Sequence, residues 1–250
     1  MKILNAISPV ATNVMVMPTV PFFFATTSNM KFCQYKPIFS EYGIDLRKGT
    51  AITSVLVEPQ ADYTLDPTGV SVVAHPLRQA ARFVVKMGQL PYMIEDTMLF
   101  VDFFSKDMKR FIGLPGADTK NWWYNLESQG VLRIMEHVQN RRAAFTCQIG
   151  VYFGGSKYVF SRATVVGSIS TTPRVSQVAK DEVPLSNPYF FHEIFIPEND
   201  TRTLAEMSGM DFSYYDYRRK CVKNLFAELL KAGVILKEDK QLQLNFGIGD

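Results

Sequence analysis

Apolar and polar positions along this chain alternate in period, and the change of period marks its elements. Val20-Pro21-Phe22-Phe23-Phe24-Ala25 is a short continuous apolar run and predicts a buried strand. Asn29–Tyr42 predicts a helix, with Gly43 in the C-cap role. Ala51–Val57 reads as a second strand. From Val70 to Gly88 the apolar residues Val73, Leu77, Ala81, Val84 and Val85 recur at helical spacing. Tyr92-Met93-Ile94 is expected to be a short buried strand that delivers Glu95 and Asp96 at its C-terminal edge. Gly130–Gln139 predicts an amphipathic helix. Residues 142–168 alternate about Gly154-Gly155, the pattern of a long hairpin. Residues 169–187 have no period and predict a loop; Tyr215–Ala232 predicts a basic amphipathic helix followed by a polar tail. Strands interleaved with helices imply an α/β fold with a mixed sheet.

Composition narrows the function classes. A chain of 250 residues can bury a full core. Its formal charge is only +3, with acids and bases interspersed, so it lacks the basic footprint of a nucleic-acid binder. Cys33, Cys147 and Cys221 are widely spaced and form no C-x-x-C pair, which points away from a disulfide framework or zinc site and toward a reducing compartment. The apolar runs fall short of the roughly 20 residues of a membrane span, and the N-terminal stretch makes a poor signal peptide. A cytoplasmic enzyme without membrane or nucleic-acid partners is the expectation.

Candidate chemistry gathers at two places. At the first, Glu95 and Asp96 precede a tight turn, Gly113-Leu114-Pro115-Gly116, and then Lys120. Carboxylates facing a lysine across a glycine-rich turn suit a metal-bound polyphosphate, although a solvated acid pair is the commoner fate of Glu-Asp. At the second, a strand opens through Thr27, Ser28 and Asn29 into a helix carrying Lys31. Such a junction offers free backbone N–H groups, two hydroxyls and a cation to an anion. A plain capped helix with a surface lysine has the same local sequence.

The order of these segments resembles the inosine triphosphatase, or Ham1, family of non-canonical purine nucleoside triphosphate pyrophosphatases. Thr27-Ser28-Asn29-Met30-Lys31 is similar to its phosphate loop, Val57-Glu58-Pro59-Gln60 to its Glu-x-Gln, and Glu95-Asp96-Thr97 through Leu114-Pro115-Gly116 and Lys120 to its central acidic stretch. Arg142–Cys147 resembles the start of the family hairpin. Phe195-Ile196-Pro197 and Thr203-Leu204-Ala205-Glu206-Met207 match its later segments, and Arg218 falls where the family has the Arg of Ser-His-Arg. The resemblance implies a single two-lobed domain with a long mixed sheet and a central cleft. An N-terminal extension of about residues 1–17 and a polar tail from about 233 flank it.

By the same resemblance the expected activity is metal-dependent hydrolysis of a nucleoside triphosphate to a monophosphate and pyrophosphate. Mg²⁺ or Mn²⁺ is expected on Glu58 and Asp96, with Gln34 where the family has a glutamate. Asp96 is the metal ligand or the base for the attacking water, with Glu95 beside it. Thr27, Ser28, Asn29, Lys31 and Lys120 are expected on the phosphates, and Phe191, His192, Tyr217 and Arg218 on the nucleoside end. There His192 and Tyr217 replace the family's base-reading Asp and His, which implies altered base preference. A homodimer is also implied, with aromatic Trp122-Trp123-Tyr124 in keeping. The alternative is a diverged member that binds a different nucleotide with little turnover.

Overall fold

The computed structural model describes residues 21–50, 71–104, 115–116, 119–176, 191–238 and 241–244. Five strands carry most of the sheet: β1 (Pro21–Ala25), β2 (Asp45–Gly49), β3 (Tyr92–Val101), β5 (Arg142–Gly154) and β6 (Lys157–Ile169). The short β4 (Pro115–Gly116) pairs with β3, and β7 (Phe195–Pro197) with β6. The order is β2-β1-β3-β5-β6-β7; β1 runs parallel to β2 and β3, and the remaining pairs are antiparallel. The mixed α/β sheet expected from the sequence is therefore present.

Helices cover both faces. On one face, α1 (Asn29–Ser40) and α5 (Tyr217–Lys231) bury Tyr35, Ile38 and Phe39, and Cys221, Val222, Leu225, Phe226 and Leu229, against Met93, Leu99, Val101, Phe145, Ile149 and Val151. On the other, α2 (Ser71–Lys86) sets Val73, Leu77, Ala80, Ala81 and Val84 on Tyr92, Ile94 and Tyr152. Val85, read as part of that apolar stripe, is 49% exposed instead. Four further helical stretches and a hairpin complete the described chain: α3 (Thr119–Ile134), α4 (Gly209–Tyr215), 3₁₀ turns at Asp102–Phe104 and Leu204–Glu206, and β8 (Ile235–Glu238) paired with β9 (Gln241–Leu244) in the segment read as a polar tail.

Several sequence expectations hold closely. Gly43 takes φ +72 just after α1, the left-handed conformation that favours glycine. The long hairpin turns at Gly154-Gly155, with a bulge between Tyr152 and Gly154. One expectation is untested and two change. The predicted strand Ala51–Val57 falls outside the described residues, and a strand the pattern did not predict lies at Asp45–Gly49. The helix expected over Gly130–Gln139 begins at Thr119, breaks at Glu127 (φ 52, ψ −174) and stops at Ile134. Finally, β3 does not end in its acids. It continues from Tyr92 to Val101 because β5 pairs with it residue for residue, from Tyr92↔Tyr152 to Val101↔Ala143. The acids therefore sit in mid-strand.

Candidate active site

The unequal lengths of β1 and β3 create the site. Their parallel pairing runs only from Phe23↔Tyr92 to Phe24↔Met93, and β1 stops at Ala25 while β3 goes on. The next residues of β3 thus run alongside the loop 26–28 that leads into α1. An open α/β sheet binds its ligands at this kind of place, beyond the carboxyl end of a parallel strand.

Within the loop the sequence folds on itself. Ser28 N–H donates to Thr26 Oγ1 at 3.1 Å, and Ser28 Oγ caps α1 by accepting from Lys31 N–H at 3.2 Å. Ser28, not Asn29, is the cap. Asn29 is exposed and accepts a hydrogen bond from Lys48 Nζ, a cation that the sequence alone did not connect to this loop. Thr27 is exposed.

A strand sends successive side chains to opposite faces, so adjacent Glu95 and Asp96 part company. Glu95 faces α1 and α5. It forms an ion pair with Lys31 at 3.0 Å and its side chain keeps no exposed surface. Thr97 Oγ1 donates to Glu95 Oε1 at 2.5 Å, and the Cys147 thiol approaches the same oxygen at 3.8 Å. Burial works against the charge on Glu95. The Lys31 ammonium, the Arg218 guanidinium and the Thr97 hydroxyl outweigh it and hold the carboxyl below its ordinary value. Lys31 mirrors this: burial opposes its charge, but Glu95 and then Asp96 raise its pKa. Asp96, half-buried, lies on the face that carries Ile94 and Tyr92, and its Oδ1 accepts from Thr97 N–H at 2.9 Å.

Behind Glu95 the contacts continue as a chain. Cys147 Sγ lies 3.2 Å from Tyr35 Oη, and Cys221 Sγ donates to the Cys147 carbonyl at 3.4 Å. Burial pushes the Cys147 thiol well up, which keeps it a donor toward the carboxylate. Thr97 and Cys147 lay in matched segments without an assigned role, and Tyr35 in none; Thr97 meets Glu95 two residues along the same strand, and Cys147 and Tyr35 reach this cluster from β5 and α1.

At the start of α5, Asp216 caps the helix by accepting from Arg218 N–H (2.9 Å) and Arg219 N–H (3.2 Å). Arg218 Nη1 donates to Tyr217 Oη at 2.9 Å, and His192 Nε2 lies 2.9 Å from the same oxygen. The guanidinium can only donate, so Tyr217 Oη accepts from Arg218 and shares a second hydrogen bond with His192 Nε2. Phe145 stacks on Tyr217 at 4.9 Å and meets His192 edge-on at 5.6 Å. Phe191, His192 and Tyr217 each retain no exposed surface, and Phe191 has a left-handed φ of 57. Burial, then the Arg218 charge, pushes the His192 pKa down to about 3. Gln34 is buried, and with Pro37, Phe212, Asp216 and Arg218 it lines a small cavity of about 30 Å³ between α1 and α5.

The structure thus brings together Ser28, Lys31, Glu95 and Arg218 on one face, with Asp96 across the sheet. Glu58 lies outside the described residues, and Lys120 is described only by its backbone place in α3. Among the described residues no three His, Cys, Asp or Glu side chains form a metal cluster. No described helix is long and apolar enough to cross a membrane.

A parallel strand ending on a capped helix, beside an acid-bearing longer strand of a mixed sheet, defines an open α/β protein. Residues 22–228 match the Ham1 family, and the chain belongs to that family. It is 32% identical over 144 residues to the dITP/XTP pyrophosphatase of Pyrococcus horikoshii, covering 58% of this chain and 67% of that one. Against the dITP/XTP pyrophosphatase of Aquifex aeolicus it is 25% identical over 208 residues, covering 80% and 92%. The solved HAM1 protein from Coxiella burnetii shares the fold with a TM-score of 0.59, at 16% identity, over 85% of this chain and 100% of that one.

Two outcomes test this arrangement. Replacing Glu95 with Gln leaves the Lys31 ammonium, whose side chain is only 21% exposed, without its counter-charge. Denaturant melts at pH 7 should show a loss of about 2–4 kcal/mol. Because the Glu95 pKa is lowered in the fold, its contribution is present above its ordinary 4.5 and fades as pH falls below that value, so mutant and wild type should converge toward acid pH. For His192, the folded ring refuses a proton that the unfolded chain accepts below its ordinary 6.5, so stability falls as pH drops from 6.5 toward 3. Between pH 6 and 5 the wild type should lose about 1.2 kcal/mol from this group. A slope that persists unchanged in His192→Gln would assign it elsewhere.

Proposed function

We propose that the protein hydrolyses a nucleoside triphosphate between its α and β phosphates, releasing pyrophosphate and a monophosphate. The observation that carries this reading is the end of β1, where the Ser28-capped start of α1 runs beside β3, with the Lys31–Glu95 pair on one face of that strand and Asp96 on the other. Membership in the Ham1 family and the names of its dITP/XTP pyrophosphatase relatives support it. The chain's own residues divide the work. The α1 N-terminus and Lys31 bind phosphate oxygens; Asp96 orients the attacking water and accepts its proton. Glu95 holds the Lys31 ammonium at this position.

The donor chemistry fits a hard divalent ion. Mg²⁺ is held by one or two carboxylates together with substrate phosphates, and Asp96 is a half-buried carboxylate at the loop, with Glu58 as a second candidate. Glu95 is committed to Lys31, and Gln34 packs on the face opposite to Asp96. When bound, Mg²⁺ or Mn²⁺ supplies charge neutralisation on the phosphates. Base preference different from inosine and xanthosine is supported by the packed Phe191, His192 and Tyr217 cluster at the nucleoside end.

The experiment is a nucleotide panel with Mg²⁺, scored for pyrophosphate and monophosphate together. Wild type should release both in equal amounts, and Asp96→Asn should lose turnover by about 100-fold or more with an unaltered melt. Absence of pyrophosphate from every nucleotide would leave binding without turnover as the activity, and a hundredfold preference for inosine triphosphate over adenosine triphosphate would remove the altered selectivity. We also infer a homodimer, supported by the family and by the aromatic Trp122-Trp123-Tyr124 segment. Light scattering at micromolar concentration should give twice the 28.4 kDa chain mass, and a monomer mass would refute it.

A further inference from the structure

Gln148 is a buried amide that the fold does not explain. It is 1% exposed, and among the described residues neither Nε2 nor Oε1 has a hydrogen-bond partner. A core amide with both atoms unsatisfied is costly, because its desolvation is uncompensated, and it calls for a polar guest. Its neighbours along β5 show the contrast. On the same face, Thr146 is satisfied by Thr164 at 2.9 Å, and Gly150 lies beneath the apolar Leu77 and Phe160. Gln148 stands between these two positions on β5.

Its position across the sheet gives the amide a purpose. Gln148 is the register partner of Asp96 on β3 and of Arg162 on β6. Directly opposed residues of antiparallel strands project from the same face, with Cβ atoms about 4.5–5.5 Å apart. A carboxylate, an amide and a guanidinium-bearing residue therefore form one row over three strands, at the acid assigned above to the attacking water.

Resting on that functional reading, we propose that Gln148 is a site residue that couples the attacking water to the phosphate. Two acceptors, an Asp96 carboxylate oxygen and Gln148 Oε1, each take one water hydrogen and leave the water lone pair aimed at phosphorus. Gln148 Nε2–H donates to a phosphate oxygen, so one rigid planar group registers nucleophile and electrophile together. The water oxygen bonds to phosphorus, the anhydride P–O bond breaks with its electron pair leaving on pyrophosphate, and the water proton passes to Asp96. Gln148 stays neutral throughout. An amide that positions water in phosphoryl transfer acts through geometry alone.

The test compares wild type with Gln148→Leu and with the unbranched Gln148→Met, measuring kcat, KM and Tm for the best nucleoside triphosphate of the panel. Removing an unsatisfied amide should leave Tm unchanged or raised, while kcat falls about 10- to 100-fold and KM changes less than about threefold. At least one of the two variants keeping full kcat would overturn the inference. So would a Tm lowered by more than about 5 °C in both, since that is the mark of a structural amide. A wild type inactive on every triphosphate would instead remove the functional reading, and this inference with it.

Discussion

The ion pair between Lys31 and Glu95 is the constraint on which the site depends. Glu95 sits in mid-strand with no exposed side-chain surface, and such a carboxylate is tolerable only when a cation and good donors surround it. Lys31 at 3.0 Å, Thr97 at 2.5 Å and the more distant Arg218 charge meet that need. The consequence runs both ways. The pair lets β3 continue through its acids to Val101, and it fixes the first turn of α1 against the sheet. An apolar pair could join these elements as firmly, but it would leave no ammonium at the helix start.

The second determinant is strand alternation. Two adjacent acids in a loop could share one ion or one water; two adjacent acids in a strand cannot, because they face apart. The fold thereby separates their environments. Glu95 is sealed among α1, α5 and the thiols, and Asp96 stays half-buried on the other face in register with Gln148. Different surroundings for two carboxylates are how a site assigns them different tasks.

The aromatic cluster around Tyr217 shows the same economy in another form. His192, Tyr217 and Arg218 make one hydrogen-bonded chain that starts from the donor-only guanidinium, while Phe145 stacks on the Tyr217 ring. The neutral His192 is the result of burial beside that positive charge. Phe191 next to it keeps a left-handed backbone, a conformation that the surrounding packing has to impose on a bulky residue.

The amino-acid sequence by itself determined the elements with strong period: the run before Thr27, the helix stopped by Gly43, the hairpin about Gly154-Gly155 and the buried stripe of α5. It also placed the family motifs in order, because Thr27–Lys31, Glu95–Thr97 and Thr203–Met207 are contiguous and need no partner to be read. It did not reveal β2, since Asp45-Leu46-Arg47-Lys48-Gly49 is too polar to look like a strand and, among the described residues, is held in the sheet by its pairing to β1. Nor could it show that β3 outruns its acids, that Glu95 and Asp96 face apart in use as well as in principle, or that Cys147, Tyr35 and Gln148 belong to the site. Those follow from register between strands more than fifty positions apart and from helices packed over them. Contacts of that kind are decided only when the whole sheet closes, because burial, not local preference, supplies their free energy.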